Sequence, residues 1–327
     1  MKIKKYKEKT APGQTLLQSK DLLFDIETTG LSKDRNKIIL IGCGFIDDGF
    51  LNILQFLAEN ESEEEEILRN FYKATEEFDR LITYNGDRFD IPFMKARTSA
   101  LSINADSNSF SSFDIYKKIK KYKILLGLPS MKQKNIETFL GITRSDEIDG
   151  ARSVKLYKAY EKNNDADLEN IILLHNHDDI KGLLDILPIL EYRSLNRLSL
   201  SSIKKSISID QITFECDSNA ALPVEISLAS KHMTLRLMKN RIKGVIHFID
   251  GAFPYFQEDI SKYLYHIEDS TIIPKVLVPK TDLYKYRAPS KEECYIKIEP
   301  ENVTNEMINQ SVINLINNYS EHKVHIM

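Results

Sequence analysis

Residues Ile38 to Phe45 read Ile-Ile-Leu-Ile-Gly-Cys-Gly-Phe. A run this short and this apolar suits a strand buried on both faces, because a strand with one wet face alternates. Such a strand needs neighbours, and the flanking sequence supplies them. Leu22 to Ile26 is a second short apolar run, closed by the turn chemistry of Thr28-Thr29-Gly30. Asp47-Asp48-Gly49 reads as a hairpin turn into Phe50 to Phe56. Three neighbouring antiparallel strands are expected here.

Helical spacing follows over Glu59 to Phe78, with Ile67, Leu68, Phe71 and Ala74 on one face. The acidic run Glu63 to Glu66 resembles a metal cluster, but it better suits the first turn of this helix, where carboxylates complement the dipole. Further strands are expected at Leu81 to Tyr84 and Ser111 to Ile115. Helices are expected at Ile91 to Ala100, Asn135 to Leu140, Ser153 to Tyr160 and Ala166 to Leu187, the last stopped by Pro188. This order specifies an α/β class, a mixed sheet flanked by helices.

Composition shifts near Ser199. Ser206 to Cys216, Val224 to Ser230, Met233 to Leu237 and Lys243 to Ile249 alternate apolar and polar residues, as in an antiparallel β unit. Val303 to Tyr319 is amphipathic and reads as a helix. The expected organisation is therefore a basic segment over 1–20, an α/β domain over 21–195, and a smaller, mainly β (α+β) domain over 200–327.

With 327 residues, 42% hydrophobic and 28% charged, the chain can bury a large core. A net charge of −3 argues against a generally basic nucleic-acid binder, so any basic surface is local. Lys117, Lys118, Lys120, Lys121 and Lys123 form one candidate phosphate track, or a solvated helix face. The five lysines within Met1 to Lys9 fit a solvated chain end, and no apolar segment behind them suggests a signal peptide. No long apolar run suggests a membrane span. Cys43, Cys216 and Cys294 are sparse and lack CxxC spacing, which fits a reducing, cytoplasmic setting without that kind of zinc site.

Acidic residues mark the candidate site. Asp25 and Glu27, at the end of Leu22-Leu23-Phe24, project to one face of a strand. Carboxylates side by side repel unless a cation lies between them, and hard oxygen donors suit Mg²⁺ or Mn²⁺. Asp90 lies between Phe89 and Ile91, just before Pro92, where a helix N-cap is a rival role. His175 and Asp179 are i and i+4, hence on one helix face. His177 and Asp178 point away from that face. Four carboxylates can hold two cations about 3.5–4 Å apart, and a histidine can take a proton from water.

These residues resemble the three motifs of the DEDD superfamily of 3′–5′ exonucleases, which are DnaQ-like proteins with a ribonuclease H-like fold. Phe24-Asp25-Ile26-Glu27-Thr28-Thr29-Gly30-Leu31 is similar to the first motif. Asn85-Gly86-Asp87-Arg88-Phe89-Asp90-Ile91-Pro92-Phe93 is similar to the second, as it appears in the proofreading domains of family B DNA polymerases. His175-Asn176-His177-Asp178-Asp179-Ile180 is similar to the third. From about Asp21 to Leu190 the chain most resembles the YprB-type ribonuclease H-like domain. Ile136 to Ile142 and Arg144 to Gly150 support that resemblance.

The resemblance implies two Mg²⁺ or Mn²⁺ ions held by Asp25, Glu27, Asp90 and Asp179, with His175 as a catalytic base. It places a nucleic-acid 3′ end, DNA or RNA, near Thr28, Thr29, Gly30, Leu31, Asn85 and Phe89. The third motif departs from the family, where Tyr-x-x-x-Asp or His-x-x-x-x-Asp is usual. Here the spacing is His-x-x-x-Asp, which leaves the reach of the His175 ring to be decided by geometry. The rival to exonuclease activity is a nucleic-acid-binding or scaffold protein that keeps the fold with little turnover. The second domain resembles, weakly, the C-terminal region of clostridial YprB-like proteins through Phe256, Tyr263-Leu264-Tyr265, Glu268-Asp269 and Cys294-Tyr295, and no activity follows from that.

Overall fold

The computed structural model describes residues 1–10, 17–104, 110–144, 150–257, 259–290 and 293–320. Chain contacts divide it into two units, Met1–Lys120 with Leu128–Leu190, and Lys121–Gly127 with Glu191–Met327. The segment 145–149, part of the supporting motif Arg144 to Gly150, lies outside the described residues.

The first unit is built on a six-stranded mixed sheet. Its strands are β1 (Lys2–Lys9), β2 (Asp21–Thr28), β3 (Ile38–Asp47), β4 (Phe50–Leu57), β5 (Arg80–Thr83) and β6 (Ser111–Asp114), in the order β1-β4-β3-β2-β5-β6. The strands β2, β3 and β4 are antiparallel neighbours, while β5 runs parallel to β2 and β6 parallel to β5. Ile38 to Ile41 and Cys43 of β3 are fully buried, as an all-apolar central strand requires.

Six helices flank the sheet: α1 (Glu64–Ala74), α2 (Asp90–Ala100), α3 (Ile115–Ile119), α4 (Gln133–Phe139), α5 (Gly150–Asn163) and α6 (Ala166–Asp185). One cluster joins Leu22, Phe24, Ile41 and Phe56 of the strands to Ile67, Leu68 and Phe71 of α1 and Phe93 of α2. A second joins Leu40 and Leu57 to Tyr157 and Tyr160 of α5 and Ile172 and Leu173 of α6. The molecule is thus α/β, a mixed sheet between helical layers, with further mainly β sheets toward the C-terminus.

Three expectations are corrected. The lysine-rich start is not a solvated end. It forms β1, which pairs with β4 along its whole length. Its alternate residues face inward: Lys2 and Lys4 meet Glu169, at 2.5 and 3.2 Å, and Glu8 meets His177 at 2.8 Å. The outward lysines leave a charged edge of the kind that resists further strand pairing. The first helix is shorter than its periodicity suggests. A 3₁₀ turn capped by Asn60 precedes it, and the Thr75 hydroxyl bonds back to Phe71 O at its end. Ser206 to Cys216 is not one strand but parts of two.

The acidic run does form the first turn of α1. Its buried member, Glu64, takes two bonds from Arg97, at 2.8 and 2.7 Å, and one from Ile38 N at 2.8 Å.

The second unit carries a five-stranded antiparallel sheet of β7 (Leu200–Ile207), β8 (Gln211–Ser218), β9 (Ile226–Ala229), β10 (Met233–Met238) and β11 (Arg241–His247), in the order β7-β8-β11-β10-β9. Burial alternates along β8, β10 and β11, so one face is covered and one is not. Two smaller sheets and a C-terminal helix, α7 (Asn305–Ser320), complete it. Phe253 is fully buried, and Phe256 and Tyr295 pack at 5.3 Å, so these aromatics serve packing.

Candidate metal centre

Asp25 and Glu27 share one face of β2, and α6 crosses that face. The close crossing depends on two glycines of β3. A Cβ on Gly42 would lie 2.1 Å from Asn176 Oδ1, and one on Gly44 would lie 2.8 Å from Ile180 Cγ2. Asn176 and Ile180 are one helical turn apart, a rise of about 6 Å, which matches two residues of strand at about 6.6 Å. The helix therefore seats in register with the sheet and brings its neighbouring face over β2.

That seating places His175 Nε2 3.4 Å from Glu27 Oε1 and 3.6 Å from Asp179 Oδ2. One donor atom from each of Glu27, His175 and Asp179 lies within 4.8 Å of the others, close enough to hold a single metal ion. His177 turns instead toward β1, where its ring meets Tyr6 at 4.8 Å, and Asp178 lies 3.4 Å from His177 Nδ1.

Asp25 is held by an amide. Asn176 Nδ2 donates to Asp25 Oδ2 at 3.0 Å, and Gln55 Nε2 donates to Asn176 Oδ1 at 2.8 Å and to Leu173 O at 2.9 Å. Gln55 and Asn176 are fully buried. In the sheet, Asp25 pairs with Gly42 and Gly42 with Gln55, so this relay runs across one row of three strands.

Asp90 is the first residue of α2, after an N-cap position taken by Phe89, so the rival capping role is not its own. The backbone N–H groups of Ile26 and of Asp90 itself lie near enough to its carboxylate to favour the charged form, without a hydrogen bond of ordinary geometry. Pairing of β2 with β5 stops at Leu23, which leaves the Ile26 amide open to this carboxylate.

The electrostatics connect all four acids. Asp25 keeps some access to solvent, yet protein atoms crowd its carboxylate. Its pKa is raised well above the usual range, first by burial and then by the charges of Asp179, Asp90 and Glu27. Glu27 is pushed up to about 7 by burial, with His175 opposing and Asp179 and Asp90 reinforcing the shift. Asp90 is also pushed up to about 7, again mainly by burial, with Asp114 and Asp179 adding to it and the two backbone N–H groups opposing it. A buried set of mutually repelling oxygen donors is the setting that a hard divalent cation relieves. Ser153 fits the same picture: its hydroxyl lies beside Glu27, buried and without a hydrogen bond of ordinary geometry.

The other expected residues surround this centre differently. Thr28 Oγ1 donates to Gly30 O at 2.8 Å, and Thr29 Oγ1 accepts from Lys37 N at 3.0 Å. Both hydroxyls thus hold the turn after Glu27, and Gly30 leaves room there for Asn36. Leu31 presents its side chain, 87% exposed. Asn85 adopts a left-handed conformation at φ 62°, and its N–H donates to Asp114 Oδ1 at 2.8 Å. Phe89 is half-buried against Phe93 at 5.4 Å. In the lysine stretch, Lys117 pairs with Asp87 at 2.5 Å and Lys118 lies over the Phe113 ring.

Sequence reasoning missed Asn176, Gln55, Arg144 and Glu137. Arg144 contacts Asp179 and also Glu137, the latter at 3.1 and 3.2 Å. Asn176 lies inside the third motif, beside His175, so its position was a usable signal. Gln55 was a lone polar residue in an apolar strand, which burial would need to satisfy. Arg144 and Glu137 lie in the segments that support the resemblance, but nothing local ties them to the site, because only folding brings them to Asp179.

A protein-family model, RNase_H_2 of the RNase_H superfamily, matches residues 22–191. The uncharacterized protein YprB of Bacillus subtilis (strain 168) is 27% identical over 169 residues, which is 50% of this chain and 40% of that protein. The chain thus spans less than half the length of that relative. Among solved structures, the family B DNA polymerase of Pyrobaculum calidifontis is similar with a TM-score of 0.41 and 17% identity, over 59% of this chain and 33% of the polymerase. Exonuclease I of E. coli in complex with a dT13 oligonucleotide is similar with a TM-score of 0.33 and 11% identity, over 94% of this chain and 70% of the other.

Proposed function

This chain belongs to the RNase H superfamily, and from that premise we propose that it is a metal-dependent nuclease, a 3′–5′ exonuclease acting on single-stranded or frayed DNA or RNA. The observation that carries the reading is the gathering of donor atoms from Glu27, His175 and Asp179 within 4.8 Å of one another, with the Asp25 and Asp90 carboxylates close enough to add their charge.

Asp25, Glu27, Asp90 and Asp179 would hold one or two Mg²⁺ or Mn²⁺ ions. Bound there, such ions supply the positive charge that stabilises a phosphodiester as it gains negative charge under attack. The protein's own groups do the rest. Asn176 fixes the carboxylate of Asp25, which limits its reorganisation during the reaction. His175 Nε2, 3.4 Å from Glu27 Oε1, takes the proton of the attacking water, a role worth about 10²–10⁴-fold. The water oxygen bonds to phosphorus, the bond from phosphorus to the 3′ oxygen breaks, and that oxygen is protonated from solvent. Leu31 and Phe89 offer apolar surface for the terminal bases.

The test is a panel of labelled DNA and RNA strands, each blocked at one end, incubated with Mg²⁺ or Mn²⁺. The expected result is shortening from the 3′ end that Asp25→Ala abolishes. Undiminished shortening by that variant defeats the assignment. Oligonucleotide binding without shortening under either ion favours a scaffold role.

A further inference from the structure

We infer that Arg144 is a positioning residue for Asp179, one that commits one of its carboxylate oxygens and leaves the other for a divalent cation. This rests on the metal-dependent reading above.

The two oxygens of Asp179 face different partners. Oδ1 contacts Arg144 Nη2, while Oδ2 lies 3.6 Å from His175 Nε2, on the side of Glu27. A carboxylate free to rotate could present either oxygen, or both, to an ion. The guanidinium removes that freedom, because Arg donors are set in a rigid planar fork.

Arg144 is itself held from two sides. Its side chain is 10% exposed, and Nη1 meets both oxygens of Glu137, whose side chain is 1% exposed. Gln133 Nε2 donates to Glu137 Oε1 at 3.0 Å and to the backbone oxygen of Asp179 at 3.2 Å. The assembly Glu137–Arg144–Asp179 therefore ties α4 to α6, with Gln133 bracing both ends. A glycine in α6 makes room for it, since a Cβ on Gly182 would lie 2.4 Å from Glu137 Oε1. Charge supports a positioning role. Glu137 balances the guanidinium, so the ion-facing oxygen keeps much of its negative character. Groups that orient a metal ligand typically affect affinity ten- to a hundredfold.

The experiment is Mn²⁺ titration of the full chain followed by electron paramagnetic resonance, with thermal unfolding as a fold control. Arg144→Ala leaves Glu137 buried without its partner, so R144M/E137Q, which removes both charges, is measured beside it. The expected result is a folded R144M/E137Q whose Mn²⁺ affinity is at least tenfold weaker and whose spectrum is altered. Arg144→Lys should recover part of that loss. Wild-type affinity in the folded double variant, or tighter binding, overturns the inference and would mean that the arginine is neutral or competes with the ion. Asp25→Asn separates the two proposals. Wild-type protein that takes up no Mn²⁺, or Asp25→Asn that takes it up as wild type does, defeats the metal-dependent reading itself.

Discussion

Asn176 and Asp25 lie 151 positions apart and meet through a hydrogen bond of 3.0 Å over a glycine. The bond exists because β3 has no side chain at Gly42 to hold α6 away. Gly42→Ala should cost about 1–3 kcal/mol through overpacking. Asn176→Ala removes the obstructing amide, so the double variant should lose less than the sum of the two single losses. Denaturant unfolding of the four proteins measures this, and strict additivity would contradict the packing.

The pocket acids set a pH dependence. Glu27 and Asp90 titrate near 7 in the folded protein and near 4 when unfolded. Between these values the folded state binds more protons, so its stability falls as pH rises, and the loss is complete only above the folded pKa. In chelator, the melting temperature should drop by several degrees from pH 5.5 to 8, at about 2–4 °C per kcal/mol. His177, also raised by its contacts with Asp178 and Glu8, contributes the same sign. Asp90→Asn should therefore flatten the profile without levelling it. Mn²⁺ should raise the melting temperature more at pH 8 than at pH 5.5. A flat profile in chelator would count against the buried carboxylate cluster.

The glutamates of α1 should separate cleanly. Glu64→Gln breaks a buried pair with Arg97 and should cost about 3 kcal/mol. Glu65 is half exposed and pairs with the equally exposed Arg69, so Glu65→Gln should stay within about 0.5 kcal/mol. Neither change should alter Mn²⁺ affinity, and weakened affinity in Glu65→Gln would reopen a metal role for this run.

Leu31 should act on ligand and not on fold. It is exposed at the turn that follows Glu27. Leu31→Ser should leave the melting temperature unchanged and weaken single-stranded oligonucleotide binding by about 1 kcal/mol, part of what covering a leucine side chain contributes. Fluorescence anisotropy with an end-labelled strand measures it.

The central sheet was readable because its signals are local. The run Ile38 to Phe45 needs burial on both faces, and Asp48 and Gly49 adopt the positive φ values that a tight hairpin demands. The strand β1 was misread because a run with five lysines looks solvated when Glu169, the partner of Lys2 and Lys4, and His177, the partner of Glu8, are unseen. Half of that alternation faces Glu169 and His177 of α6, which no local window contains. The same limit applied to the site. Asp25, Glu27, His175 and Asp179 stood out by spacing on a single strand or helix. Arg144 and Glu137 did not, since their purpose appears only when α4 docks on α6.

The most direct test is a crystal structure of the chain soaked in Mn²⁺, read by anomalous scattering. The account expects strong peaks within bonding distance of Asp25, Glu27, Asp90 and Asp179. Density confined to other surfaces, with those carboxylates unligated, would contradict it.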